Sequence, residues 1–221
     1  MQAIMEPIFH VVYLTTVITL GIKMISKAKN DKYFKLFGIM SVILGVGDSF
    51  HLIPRIYALL TTGLENHAVS LGFGKLVTSI TMTIFYLILY KIWKIRFDVK
   101  NSKALDATMY VLATLRIILC LFPQNKWFIN NPPVSWGIYR NIPFAIMGII
   151  MIYLLYSYGA KNNDRDYKNL GIAVLLSFGF YAPVVIWASE NFLVGMLMIP
   201  KTLAYVWVIL IGYKQFKKAI K

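Results

Sequence analysis

Apolar stretches of about 20 residues alternate with short charged loops along the whole chain. Each stretch is long enough to cross a hydrocarbon core of roughly 30 Å as a helix. The pattern predicts spans at residues 8–27, 34–60, 70–93, 105–122, 138–158, 169–189 and 193–214. The expected fold is an all-α integral membrane protein, a single seven-helix transmembrane domain over residues 1–221. Met1 to Pro7 contains no basic residue, and no small-residue cleavage site follows the first apolar run. Helix 1 therefore reads as a span and not as a cleaved leader.

Composition agrees with this reading. Of the 221 residues, 58% are hydrophobic and only 14% charged, against about 25% charged in soluble domains. The net charge of +14 would suggest nucleic acid in a soluble chain. Here the cations cluster in the loops after helices 1, 3 and 5 and in the C-terminal tail. The opposite loops carry Glu65, Glu190 and Lys126. By the positive-inside rule the N-terminus is expected outside a cell membrane and the C-terminus in the cytoplasm. Trp127, Trp136 and Trp187 fall where an outer aromatic belt would lie, and Trp93 near the inner face. Cys120 is the sole cysteine, which excludes an internal disulfide and a thiolate metal cluster.

Two segments resemble each other. Ala28-Lys29-Asn30-Asp31-Lys32-Tyr33 leads into helix 2, and Ala160-Lys161-Asn162-Asn163-Asp164-Arg165-Asp166-Tyr167 into helix 6. The exits of helices 3 and 7 also match, with Leu89-Tyr90-Lys91 against Gly212-Tyr213-Lys214. These matches suggest a 3+1+3 arrangement of parallel repeats, residues 1–95 and 138–221, with 105–122 as the linker helix. Such repeats place a binding site near the axis between the halves.

Charged groups inside hydrocarbon cost at least ~2.5–3.5 kcal/mol each on insertion scales, so each needs a reason. Asp48, His51 and Arg55 stand at i, i+3 and i+7 of helix 2, on one expected face. Arg116 lies in helix 4, Arg140-Asn141 opens helix 5, and Lys201 lies in helix 7. Glu6 and His10 share a face of helix 1. Arg140, Lys75 and Glu190 stand near helix ends, where an ordinary interfacial role is as natural for each. Pro54, Pro143, Pro183 and Pro200 accompany these residues. Each interior proline leaves the carbonyl four positions earlier, of Phe50, Tyr139, Gly179 or Met196, without its helical donor.

Kinked helices with charges in the outer half predict an outward-facing polar pocket. Arg55, Arg116, Arg140 and Lys201 outnumber Asp48 in it, so the expected ligand is a small anionic solute or a lipid headgroup. Arg55, Arg116, Arg140, Asn141, Tyr181 and Lys201 form the expected binding set. Asp48 and His51 are the expected proton-exchange or acid–base pair. A transporter or sensor follows most directly. An intramembrane hydrolase is the alternative, with zinc on Glu6, His10, Asp48 and His51 as one form of it. A lysine in helix 7 also invites comparison with microbial rhodopsins. Those place an aspartate four residues before the lysine, where this chain has Leu197, and no cofactor is expected.

Overall fold

The computed structural model describes residues 2–187 and 192–220. It is 87% helix, with no strand among the described residues. Seven helices are long and apolar enough to cross a membrane. They are α1 (Gln2–Lys27), α2 (Lys32–Leu60), α3 (Ala68–Arg96), α4 (Lys103–Leu121), α5 (Val134–Lys161), α6 (Arg165–Trp187) and α7 (Met198–Ala219). Short 3-10 turns, Leu64–His67 and Pro123–Asn125, connect α2 to α3 and α4 to α5.

Two helices, α2 and α6, start on side-chain caps. Lys29 takes a left-handed conformation (φ 46°) to reverse the chain after α1. The Asp31 carboxylate then accepts the amides of Tyr33 at 2.8 Å and Phe34 at 3.3 Å. Asn163 (φ 52°) and Asp164 repeat the device before α6, where Asp164 accepts the Tyr167 amide at 3.2 Å. Replacing Asp31 by alanine strands two amides, and a loss of ~1 kcal/mol in unfolding free energy is expected in thermal denaturation.

Consecutive helices pack side by side, and α7 returns against α1 and α2, so the bundle closes into a ring. The most extensive contacts group α1, α2 and α3 around α2, and α5, α6 and α7 around α6, with α4 between α3 and α5. Small residues set these approaches. A Cβ on Gly21 would lie 2.9 Å from the Gly38 carbonyl oxygen, and one on Gly38 would lie 2.8 Å from that of Gly21. Glycine lets the two backbones meet where lipid supplies no hydrophobic drive.

The two halves of the bundle differ. Large fully buried side chains, among them Trp93, Tyr90, Tyr167, Phe37 and Phe216, lie in the half next to the Lys-rich loops, hereafter the basic half. Its end is tied together by polar contacts between helices. The Tyr33 hydroxyl donates to Gln215 Oε1 at 2.6 Å and meets Tyr167 Oη at 3.0 Å. Arg96 pairs with Asp164 at 2.7 Å, and Lys214 with Asp166 at 3.3 Å. In the opposite, distal half many inward residues remain half-buried, including Asp48, His51, Arg55, Asn141, Tyr181 and Lys201.

Two expectations are corrected. Helix α1 begins at Gln2, six residues before the expected edge. The last expected span stands as one membrane-length segment, Leu193–Ala219, but a turn after Phe192–Gly195 restarts the helix at Met198. Pro200 therefore sits in the first turn of α7, where the proline breaks no helical bond, and the Met196 carbonyl accepts the Ile199 amide at 3.0 Å. Pro54, Pro143 and Pro183 do lie inside helices. The end of the expected span 169–189 and Glu190 fall outside the described residues.

Candidate ligand-binding site

The polar residues of the distal half form two levels. The outer level begins on α1, where Glu6 ion-pairs with Arg55 of α2, and His10 Nε2 lies 3.9 Å from the same carboxylate. His10 Nδ1 is buried with no hydrogen-bond partner among the described residues. Lys75 of α3 stands within electrostatic reach of both Arg55 and Arg140. Arg140 of α5 donates from Nη1 to Asn125 Oδ1 at 2.8 Å, and its guanidinium lies 4.1 Å from the Trp127 ring centre. Asn125, fully buried, spends its amide on the carbonyls of Leu119, Cys120 and Phe122, which close the end of α4. Arg140 is thus fixed by a neutral acceptor and an aromatic face, and no carboxylate among the described residues pairs with it.

The deeper level spans α1, α2, α3, α4, α5, α6 and α7. Tyr13 donates its hydroxyl to Asp48 Oδ2 at 2.6 Å. The Lys201 charge acts on Asp48 across the bundle. Lys201 Nζ otherwise faces aromatic rings, 4.5 Å from the centre of Tyr181 and 5.8 Å from that of Tyr205. Tyr205 and Tyr86 place their hydroxyl oxygens 3.3 Å apart. Tyr181 donates to Asn141 Oδ1 at 3.4 Å, while Asn141 Nδ2 is held by the Gly137 carbonyl at 2.8 Å.

Arg116 is the anomaly of this level. The residue is 2% exposed, and its guanidinium carbon lies 3.3 Å from the Phe144 ring centre. Nε and Nη1 are buried and have no hydrogen-bond partner among the described residues. Its electrostatic neighbours are Tyr86, Cys120, Tyr181 and Tyr205, with no carboxylate among them. A buried guanidinium normally carries a bidentate anion. Stacking on Phe144 supports the plane of the group but satisfies none of its N–H donors.

The site differs from the sequence expectation in three ways. Asp48, His51 and Arg55 share one side of α2 but reach different groups: Asp48 accepts from Tyr13 and Arg55 pairs with Glu6, both of α1, while His51 Nδ1 approaches the Leu71 carbonyl of α3 at 3.2 Å. At 100° per residue the three spread over an arc of about 60°, enough to face different neighbours. No hydrogen bond joins Asp48 to His51 among the described residues. The residues of the zinc alternative likewise do not converge, and no group of three His, Cys, Asp or Glu side chains is placed to hold a metal among the described residues. Trp127 is not in an interfacial belt. It is buried, with its indole N–H on the Cys120 carbonyl at 2.9 Å, because it packs over the end of α4. Trp93 is buried too.

Sequence reasoning passed over Tyr13, Phe144, Tyr86, Tyr205 and Asn125. Tyr13 carried a usable signal: it stands seven residues from Glu6 and three from His10, on the same helical face. The others are ordinary aromatic or loop residues until the fold brings them to Arg116, Lys201 or Arg140. Comparisons with protein-family models, with curated proteins and with solved structures found no match to this chain.

Proposed function

We propose that this chain is a multi-pass cell-membrane transporter that binds a small anion, either a free solute or a lipid headgroup, between Arg116 and Lys201. The observation that carries this reading is the Arg116 guanidinium, buried on Phe144 with two N–H-bearing nitrogens unpaired. An uncompensated buried charge is strongly unfavourable, so a ligand anion is the natural partner. Lys201 adds a second cation in the first turn of α7, where the helix dipole also favours negative charge. Arg140 and Lys75 supply attraction at the mouth. Asp48, tied to Tyr13, adds a negative charge within electrostatic reach of Lys201, whose ammonium rests on the Tyr181 and Tyr205 rings.

The orientation that suits this reading has the N-terminus outside and the basic half in the cytoplasm, by the distribution of Lys and Arg. The matching Asp31 and Asp164 caps and the two three-helix groups support a 3+1+3 repeat, with the deeper level between the copies. Parallel three-helix copies with a site between them are an architecture of secondary transporters, which favours transport over sensing.

Reconstituted proteoliposomes test this. Wild-type protein is expected to accumulate at least one labelled anion from a panel of inorganic phosphate, small carboxylates and glycerophosphate, and Lys201→Gln to lower uptake by about tenfold or more. Saturable binding without uptake would replace transport by sensing. Absence of both would overturn the reading.

A further inference from the structure

A second ligand surface lies on the outside of the bundle, away from the central site. Between α5 and α6 runs a groove of about 470 Å³ lined by Ile149, Ile152, Tyr153, Tyr156, Ile172 and Leu175, with Gly171 and Ser157 toward the basic half. Ile149 and Tyr153 are 65% and 68% exposed, so no other helix covers it. From Ile149 to Ser157 it measures about 12 Å along the helix axis, close to the depth of one leaflet, ~15 Å.

The groove is apolar along its length and basic at one end. Lys168 Nζ leans over the Tyr156 ring, 5.7 Å from its centre. Lys161 stands one helical turn beyond Ser157 on α5. Gly159 lets the start of α6 approach α5 closely, with a would-be Cβ only 2.6 Å from the Lys168 amide nitrogen. This approach fixes where Lys168 leaves the backbone, directly at the mouth of the groove.

We infer that this groove is a site for an anionic glycerophospholipid of the cytoplasmic leaflet, with the acyl chain along Ile149–Tyr156 and the phosphate on Lys168 and Lys161. The order of chemistry fits that molecule: cations at the end, the Ser157 hydroxyl and Tyr156 ring at the depth of the ester groups, then only hydrocarbon and aromatic faces. A zwitterionic lipid would fill the same groove without the charge pairing, and each lysine near the surface contributes about a fivefold preference. The site is independent of the anion site at Arg116, so either stands without the other.

Native mass spectrometry of the purified full chain, released from micelles with equal phosphatidylglycerol and phosphatidylcholine of identical acyl chains, reads this preference. Wild type is expected to retain phosphatidylglycerol over phosphatidylcholine by about fivefold or more. Lys168→Gln should lower the ratio by about fivefold, while Lys91→Gln, near the basic end of α3, should leave it unchanged. In a second measurement, Tyr153→Trp fluorescence should be quenched more by dibrominated phosphatidylglycerol than by dibrominated phosphatidylcholine, and Val111→Trp on α4 equally by both. Equal retention of the two lipids, an identical effect of Lys91→Gln, or a lipid-free dimer peak placing a second copy on this face would overturn the inference.

Discussion

Replacing Arg116 by methionine is expected to make the ligand-free protein more stable and at the same time blind to anions. The sign follows from magnitudes. Holding an arginine inside the membrane costs about 2.5–3.5 kcal/mol on insertion scales. Stacking on Phe144 at 3.3 Å returns about 2 kcal/mol for a desolvated pair. Methionine has a similar reach and no donors to satisfy, so a net gain of about 1 kcal/mol remains, or roughly 2–4 °C in melting temperature for a chain of this size. Loss of one partner of a buried charged pair costs about 2–5 kcal/mol in binding, so anion affinity should fall by roughly 30-fold at the least. Thermal melts with and without ligand check both halves. A structural clamp would behave in the opposite way, because removing it would lower the melting temperature of the ligand-free protein.

A large loss of stability is expected from Gly74→Ala. A Cβ at Gly74 would meet the backbone of α2 itself: the Phe50 carbonyl oxygen, the His51 Cα, and the His51 nitrogen at 2.6 Å. No side chain can swing aside, so α2 and α3 must separate. Overpacking of this kind costs about 1–3 kcal/mol or more, which exceeds the 0.5–1 kcal/mol that alanine gains over glycine in a helix. A melting temperature lower by about 5 °C is expected, because the separation also pulls the His51 imidazole away from the Leu71 carbonyl. Gly179→Ala is the control, since nothing lies within 4 Å of a Cβ there, and a neutral or slightly stabilising effect is expected.

The seven helices were legible in the sequence because a bilayer leaves so few solutions. Every backbone polar group must be satisfied within a helix, and each crossing needs its own apolar run. Edges were less legible, as at Gln2 and Pro200, because caps and first turns are decided by a few local hydrogen bonds. In the candidate site, the charged residues stood out by type, since arginine and lysine are rare in apolar runs. Their pairing did not. That Glu6 neutralises Arg55, that Lys201 rests on Tyr181, and that Arg116 has Phe144 and no carboxylate among its described neighbours are outcomes of how seven helices close into a ring. Tryptophan misled in the same way: Trp127 reads as a belt residue by position, yet the turn after α4 folds it inward onto Cys120 and Arg140.

The central claim is that an anion completes Arg116, and the most direct measurement is a thermal-shift titration of purified wild type beside Arg116→Gln. Inorganic phosphate, small carboxylates and glycerophosphate are the ligands to titrate. A saturable rise in melting temperature with at least one anion in wild type, absent in Arg116→Gln, is the predicted result. Equal response of the two proteins to every anion would contradict it.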